Sequence, residues 1–331
     1  MERRRERRMI KIDKENDLPK DTVSCIKWYP NRNAFFGVSS FDGYFRIYHA
    51  AGDVFYHTYE INCQMPLTCF EYINNFDVIF AGTITGSIIM IEPYKKKDIK
   101  VVKCFNAPIL SIIYDHESDL LYIFKKGTEL KTYDPKSFKK INDFTLDFEI
   151  STVNYHKGTF IVGGCELYCF FNYDDLLDDK LIFRQNRLNS PISTVAFCDD
   201  SGYSCVGDYD GRCCFNDERG YEESKVIFPH SVEQITRNGK TDKSFPVYGA
   251  NKIRINNLDT FYFYGGNHEL IIWSINRKKM IMKLQFDDTI TALDYHKKLK
   301  KFVVAIGYDW NEKIHELDKV NQFPQIILFK V

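Results

Sequence analysis

Apolar residues recur at every second position through short runs, and glycine-bearing turns separate the runs. The clearest case is Val38 to His49. A β-rich run there ends in the tight Phe41-Asp42-Gly43 turn, and a second run with Phe45 and Ile47 on the apolar beat follows, which is the pattern of a β-hairpin. The pattern returns at Ala81 to Ile91, at Val206 to Phe215 and at Tyr264 to Ile275, with weaker copies at Phe124 to Tyr133 and Val162 to Phe171. Seven segments open on a shared beat: Val23 to Trp28, Leu67 to Tyr72, Ile109 to Tyr114, Ile150 to Tyr155, Ile192 to Phe197, Asn251 to Ile255 and Ile290 to Tyr295. Most lie about 40–45 residues apart, the period of a four-stranded propeller blade. The sixth unit is longer, because a polar stretch from Ser231 to Ser244 precedes it and reads as a loop.

A one-sided repeat cannot bury its own apolar face, so the units must stack. The expected fold is all-β: a seven-bladed β-propeller of WD-repeat type, spanning residues 9–331 as one domain. The last unit supplies Thr289 to Tyr295, Phe302 to Ile306 and Ile326 to Phe329, one strand short of a blade. Met9 to Ile12 is a spare alternating strand, expected to close the ring as the outer strand of blade seven. Residues 1–8 hold five arginines and two glutamates, buy no burial and read as a disordered basic tail, either solvated or addressed to an acidic partner or nuclear entry.

With 331 residues, 44% apolar and 15% aromatic, the chain can bury a large core. Zero net charge removes the excess positive charge that non-specific nucleic-acid binding draws on, so direct sequence-specific nucleic-acid recognition is not expected. Ten cysteines occur without a Cys-x-x-Cys pair, and Cys25, Cys69, Cys198 and Cys205 fall on the apolar beat of strands, as reduced core thiols of an intracellular protein do. Cys165 and Cys169 span a hairpin, but no matching ligand pair accompanies them, so no metal is expected. No apolar run reaches membrane-spanning length and no signal-peptide core is present, so the protein reads as soluble, with no membrane partner. Lysines at 95–97, 136, 139, 140, 278, 279, 297, 298, 300 and 301 with Arg277, and acids at 174, 175, 178, 179, 218, 222 and 223, sort to one face of such a ring.

No P-loop, dinucleotide glycine fingerprint, His-Glu-x-x-His or Gly-x-Ser-x-Gly is present. The Asp-Gly turns carry carboxylates where a hairpin turn wants them, so a propeller hydrolase is the weaker alternative. No catalytic residue and no cofactor are expected.

Gly202 to Arg212, an acidic link and then Phe228-Pro-His230 resemble one segment of a WD-repeat subfamily. It contains the mitotic checkpoint propeller (budding uninhibited by benzimidazole) and its paralogue, the nuclear-pore messenger-RNA export propeller. Pro19 to Ser24, Val38 to Gly43, Pro246-Val247, Ile306 to Lys313 and the closing Ile326 to Val331 extend the resemblance over nearly the whole chain. It implies a top face that grips a GLEBS-type peptide. For the checkpoint member the peptide belongs to a checkpoint kinase or pseudokinase, and the loaded propeller reads a phosphorylated kinetochore scaffold repeat; for the export member it belongs to a nucleoporin. The checkpoint reading implies a nuclear and kinetochore location with a cytoplasmic pool.

On the same resemblance Phe41 takes the position of the family's blade-one tryptophan, and Arg212 that of an arginine whose planar fork suits glutamates. Asp42 in the same turn, with Tyr308 and Trp310 on the long Gly307 to Pro324 connection, completes the expected peptide-binding set. The family's blade-three tryptophan is absent, replaced by Lys125-Lys126-Gly127. Its Cys-His-Arg signature reads Pro229-His230-Ser231, so phosphate or acidic contacts fall to Lys225, His230 and Arg237.

Overall fold

The structure, a computed structural model, describes residues 10–11, 17–30, 34–52, 54–73, 78–93, 95, 99–188, 190–197, 204–209, 212–216, 225–227, 235–237, 240–242, 250–255, 260–265, 268–274, 277, 279–308 and 324–330, and of the strands between 215 and 265 the backbone. These residues form seven four-stranded sheets and a separate two-stranded hairpin. The chain divides into two compact units, 1–147 with 287–331, and 148–286.

The first unit holds four sheets. The first sheet is Val23–Trp28, Phe35–Ser40, Tyr44–Ala51 and Val54–Asn62. The second is Leu67–Ile73, Val78–Thr83, Ser87–Ile91 and Lys100–Lys103. The third is Ile109–Asp115, Leu120–Lys125, Gly127–Tyr133 and Lys140–Ile150, whose last strand carries the chain into the other unit. The seventh is Ile290–His296, Lys301–Ile306 and Gln325–Lys330, with Ile10–Lys11 outermost. Ile10 pairs with Leu328 and Lys11 with Ile327; Met9 and Ile12 lie outside the described residues.

Neighbouring sheets cover both faces of the early strands, so those strands are buried almost throughout rather than on alternate residues. Phe35–Ser40 is buried at five of its six positions, whereas alternate side chains of the outer strand Val54–Asn62 reach solvent. Strand Tyr44–Ala51 feeds two cores. Phe45 and Ile47 pack with Phe70, Ile79 and Ile89 of the second sheet, while Tyr48 and Ala50 pack with Ala292, Val303 and Leu328 of the seventh. Each of these large side chains stabilises the fold by roughly 1.5–3 kcal/mol when fully buried. First strands lie side by side: Val23–Trp28 against Ile290–His296, and Leu67–Ile73 against Ile109–Asp115.

The second unit repeats the plan in three sheets. The fourth is Thr152–His156, Thr159–Gly163, Leu167–Phe171 and Ile182–Gln185; the fifth is Ile192–Phe197, Ser204–Asp208, Cys213–Asn216 and Lys225–Ile227; the sixth is Ala250–Ile255, Thr260–Gly265, Glu269–Ser274 and Lys279–Gln285.

Two elements depart from the sequence reading. The polar stretch read as a loop contains a hairpin, Ile235–Arg237 with Lys240–Asp242. Asn238-Gly239 lies between these strands, the two-residue signal that most favours a hairpin. A one-turn helix, Tyr173–Leu177, follows the third strand of the fourth sheet, started by a capping box between Asn172 and Asp175.

Candidate functional site

The turns between second and third strands share one construction in the first two sheets. In the first sheet the Gly43 N–H donates to the Ser40 carbonyl at 3.2 Å, and in the second the Gly86 N–H donates to the Thr83 carbonyl at 3.1 Å. Both glycines sit at positive φ, +81° and +83°, where a side chain would be strained. In five of the sheets the residue after the second strand bonds back to the carbonyl just before that sheet's first strand, whereas in the fourth sheet the Gly164 N–H donates to the Leu167 carbonyl at 2.8 Å. Phe41 N–H reaches Thr22 O at 3.0 Å, Ile84 reaches Pro66 O at 3.1 Å, Lys126 reaches Pro108 O at 3.0 Å and Gly307 reaches Thr289 O at 2.9 Å. In the second unit Tyr209 reaches Pro191 O at 3.2 Å. These residues therefore occupy equivalent rim positions.

Asp42 is taken up inside its own turn. Its carboxylate accepts the Lys20 N–H at 2.8 Å and the Tyr44 N–H at 2.9 Å, bonds the Ser40 hydroxyl, and pairs with the Arg46 guanidinium at 2.9 Å. Asp42 and Arg46 side chains are only 6% and 4% exposed, and Arg46 lies 4.8 Å from the Tyr44 ring centre. The geometry makes Asp42 the lock of the Phe41 turn. Arg212 is tied in the same way. Its Nε donates to Asp208 Oδ2 at 2.8 Å, its own N–H to Asp208 Oδ1 at 2.8 Å, and the Asp208 side chain is fully buried while Arg212 is 13% exposed.

Thr22 brings two of the expected residues together. Its carbonyl accepts the Phe41 N–H, and its hydroxyl donates to the Tyr308 carbonyl at 2.8 Å. Phe41 and Tyr308 are both half-buried. Trp310 and His230 lie outside the described residues. Lys225 opens the last strand of the fifth sheet and Arg237 ends a strand of the extra hairpin, with their side chains outside the description. Sequence reasoning missed Ile84 and Tyr209, which the rim register makes equivalent to Phe41 and which are more open, at 46% and 55% exposure. The signal was present in the turns, since each follows a second strand that ends on a buried polar residue, Thr83 or Asp208.

Elsewhere the chemistry is quiet. Four of the lysines at or near the turns hold local partners: Lys95 with Glu92 at 2.9 Å, Lys136 with Asp119 at 2.9 Å, Lys180 with Asp178 at 2.7 Å and Lys140 with Asp143. Asp119 is held below the usual carboxylate range by the Tyr114 hydroxyl and Lys136, and Asp134 by the N–H groups of Ser137 and Lys136. That is the reverse of the raised carboxyl a general acid needs. Burial pushes the Cys63, Cys69 and Cys169 thiols up to about 12, while Cys165 is exposed. No group of three metal-ligating side chains occurs among the described residues. What the rim offers is contact through side chains held on rigid turns.

The sequence matches no protein-family profile. Among solved structures, the chain is similar to that of U3-55K, with a TM-score of 0.77 and 8% identity over 98% of each chain. It is similar also to the RRP9 WD40 repeats, with a TM-score of 0.76 and 8% identity over 97% of each. At that identity the likeness speaks for the fold alone. The chain is an all-β propeller, WD40-like in fold.

Proposed function

We propose that the chain is a non-enzymatic adaptor, a single seven-bladed ring completed by the Ile10–Lys11 strand. Its rim grips a GLEBS-type segment of a spindle-checkpoint kinase or pseudokinase and delivers it to a phosphorylated kinetochore scaffold, in the nucleus and at the kinetochore. The observation that carries this reading is the Phe41 turn: a half-buried aromatic on a turn fixed by a buried Asp42–Arg46 pair. Such a side chain loses little freedom on binding, which is what an anchor needs. Tyr308, joined to the same turn through Thr22, adds contact surface, and Arg212 pairs with glutamates of the segment. Lys225, His230 and Arg237 are assigned to the phosphate. The run Gly307 to Glu316 favours a second reading, the export adaptor that binds a nucleoporin segment.

Calorimetry with a GLEBS-type peptide tests the proposal. Truncating an anchor typically costs at least about 2 kcal/mol, so Phe41→Ala weakens binding by roughly thirtyfold. Arg212→Lys keeps a charge facing Asp208 but loses the fork, and gives a smaller loss. Wild-type affinity in a folded Phe41→Ala variant, or no binding by the wild type, contradicts the reading.

A further inference from the structure

The rim of the second and third sheets carries a feature that the Phe41 turn does not use. Gly86 is packed against the connection that leads into the third sheet: a Cβ there would stand 2.4 Å from the Phe105 carbonyl oxygen and 2.5 Å from that of Ala107. The Gly86 carbonyl in turn accepts the N–H groups of Cys104 and Phe105, each at 3.0 Å. Three residues after Phe105, the Pro108 carbonyl accepts the Lys126 N–H. An unbroken series of backbone contacts thus fixes the Ile84 turn, the 104–108 connection and the Lys126 turn relative to one another.

On this base one apolar side chain stands among lysines. Ile84 is the exposed apolar tip, and Thr85 beside it donates to Met65 Sδ at 3.4 Å. Lys103 folds over the tip and donates to the Thr85 carbonyl. Lys126 is exposed at the next rim position. Two further lysines are already engaged. Lys125 pairs with Glu129, and Lys131 donates to the Cys104 carbonyl at 2.8 Å, lies 4.5 Å over the Phe105 ring and stands 3.7 Å from Asp143. Glu129 and Asp143 are thus taken up by Lys125 and Lys131, and neither Lys103 nor Lys126 has an acidic partner among the described residues. Lys103 in particular caps a neutral carbonyl, so its charge has no acidic counterpart there, and a carboxylate of a partner would add the Coulomb attraction that the carbonyl lacks.

We infer that this rim is a second docking surface, and that its occupant is an acidic segment of a partner protein in which a large apolar residue is flanked by glutamates or aspartates. The apolar residue covers Ile84 and Met65, and the carboxylates take Lys103 and Lys126. The inference rests on the adaptor reading only in taking a protein segment as the occupant. Opposite charges at exposed sites contribute modestly per pair and are screened over about 8–10 Å, so the surface selects partners and speeds encounter rather than supplying most of the affinity.

The test uses the full chain and a fluorescein-labelled synthetic peptide with one leucine between two runs of glutamate, read by anisotropy. Binding is expected at low salt and weakens as salt rises. Lys103→Glu with Lys126→Glu lowers affinity by about tenfold or more and removes the salt dependence, whereas Ile84→Ser lowers affinity severalfold and keeps it. All three sites are exposed, and unchanged melting of the variants confirms that they fold. Phe41→Ala and the GLEBS-type peptide are run alongside. If Phe41→Ala loses the GLEBS-type peptide and the lysine reversal changes neither peptide, this surface is overturned and the adaptor reading stands. If the lysine reversal loses the leucine–glutamate peptide while Phe41→Ala leaves the GLEBS-type peptide unaffected, the reverse holds. No binding of the leucine–glutamate peptide at low salt, or tighter binding of oligouridylate at the same lysines, overturns the inference.

Discussion

Asp42 does in the first sheet what Asp208 does in the fifth, since each is a buried carboxylate that accepts backbone N–H groups of its own turn and pairs with an arginine four residues on. These two carboxylates therefore hold the backbone and the arginine beside Phe41 and Tyr209. Removing one member of a buried pair strands the other. Asp42→Ala leaves Arg46 with only the half-exposed Glu60, 3.5 Å from its Nε, and takes the acceptor from the Lys20 and Tyr44 N–H groups, and is expected to destabilise the fold by about 1–3 kcal/mol. Urea unfolding measures this; a loss below about 1 kcal/mol would mean that the pair is not what holds the turn.

At the scale of elements, the repeat could be read because first and second strands such as Val23–Trp28, Phe35–Ser40, Leu67–Ile73 and Val78–Thr83 are buried at matching positions, which writes the same apolar beat into the chain. The Phe41 turn could be read because Asp42-Gly43 encodes a positive-φ glycine directly. Two things escaped that kind of reading. The buried polar residue that ends the second strand marks the rim position but not how open it is: Phe41, Ile84 and Tyr209 make the same backbone bond back, yet Ile84 and Tyr209 stand further out than Phe41. The role of Asp42 escaped as well: Lys20 lies 22 residues away in the chain, and only the folded first sheet brings its N–H onto the carboxylate. The short strand Ile10–Lys11 was legible from the missing strand of the last unit. Its two paired residues cover the edge of Gln325–Lys330, whose Ile326, Ile327 and Leu328 are fully buried. Deleting residues 1–13 is expected to cost about 1–3 kcal/mol in hydrogen bonds alone and to lower the melting temperature. A truncated chain that melts like the full one would remove this strand from the proposed closure.

For the molecule as a whole, stability should fall at high pH. The Cys63, Cys69 and Cys169 thiols are pushed by burial from an ordinary 9.0 to about 12. Between those limits the unfolded chain gives up the protons and the folded chain keeps them. The unfolded state then binds fewer protons, so stability is intact below about pH 9 and declines as pH rises towards about 12. Urea midpoints taken from pH 8 to pH 11 should drop steadily, and less steeply in Cys69→Ala; a flat series would contradict the burial of these thiols.

The central claim is that the turns of the rim, not the outer strands, receive a partner segment. Hydrogen exchange of the full chain, with and without a saturating GLEBS-type peptide, tests it most directly. The account predicts slower exchange at Phe41 to Gly43 and at Tyr209 to Arg212 on binding, with Val54–Asn62 and Ile182–Gln185 unchanged. Protection confined to those outer strands, or none at either turn while the peptide is bound, would contradict it.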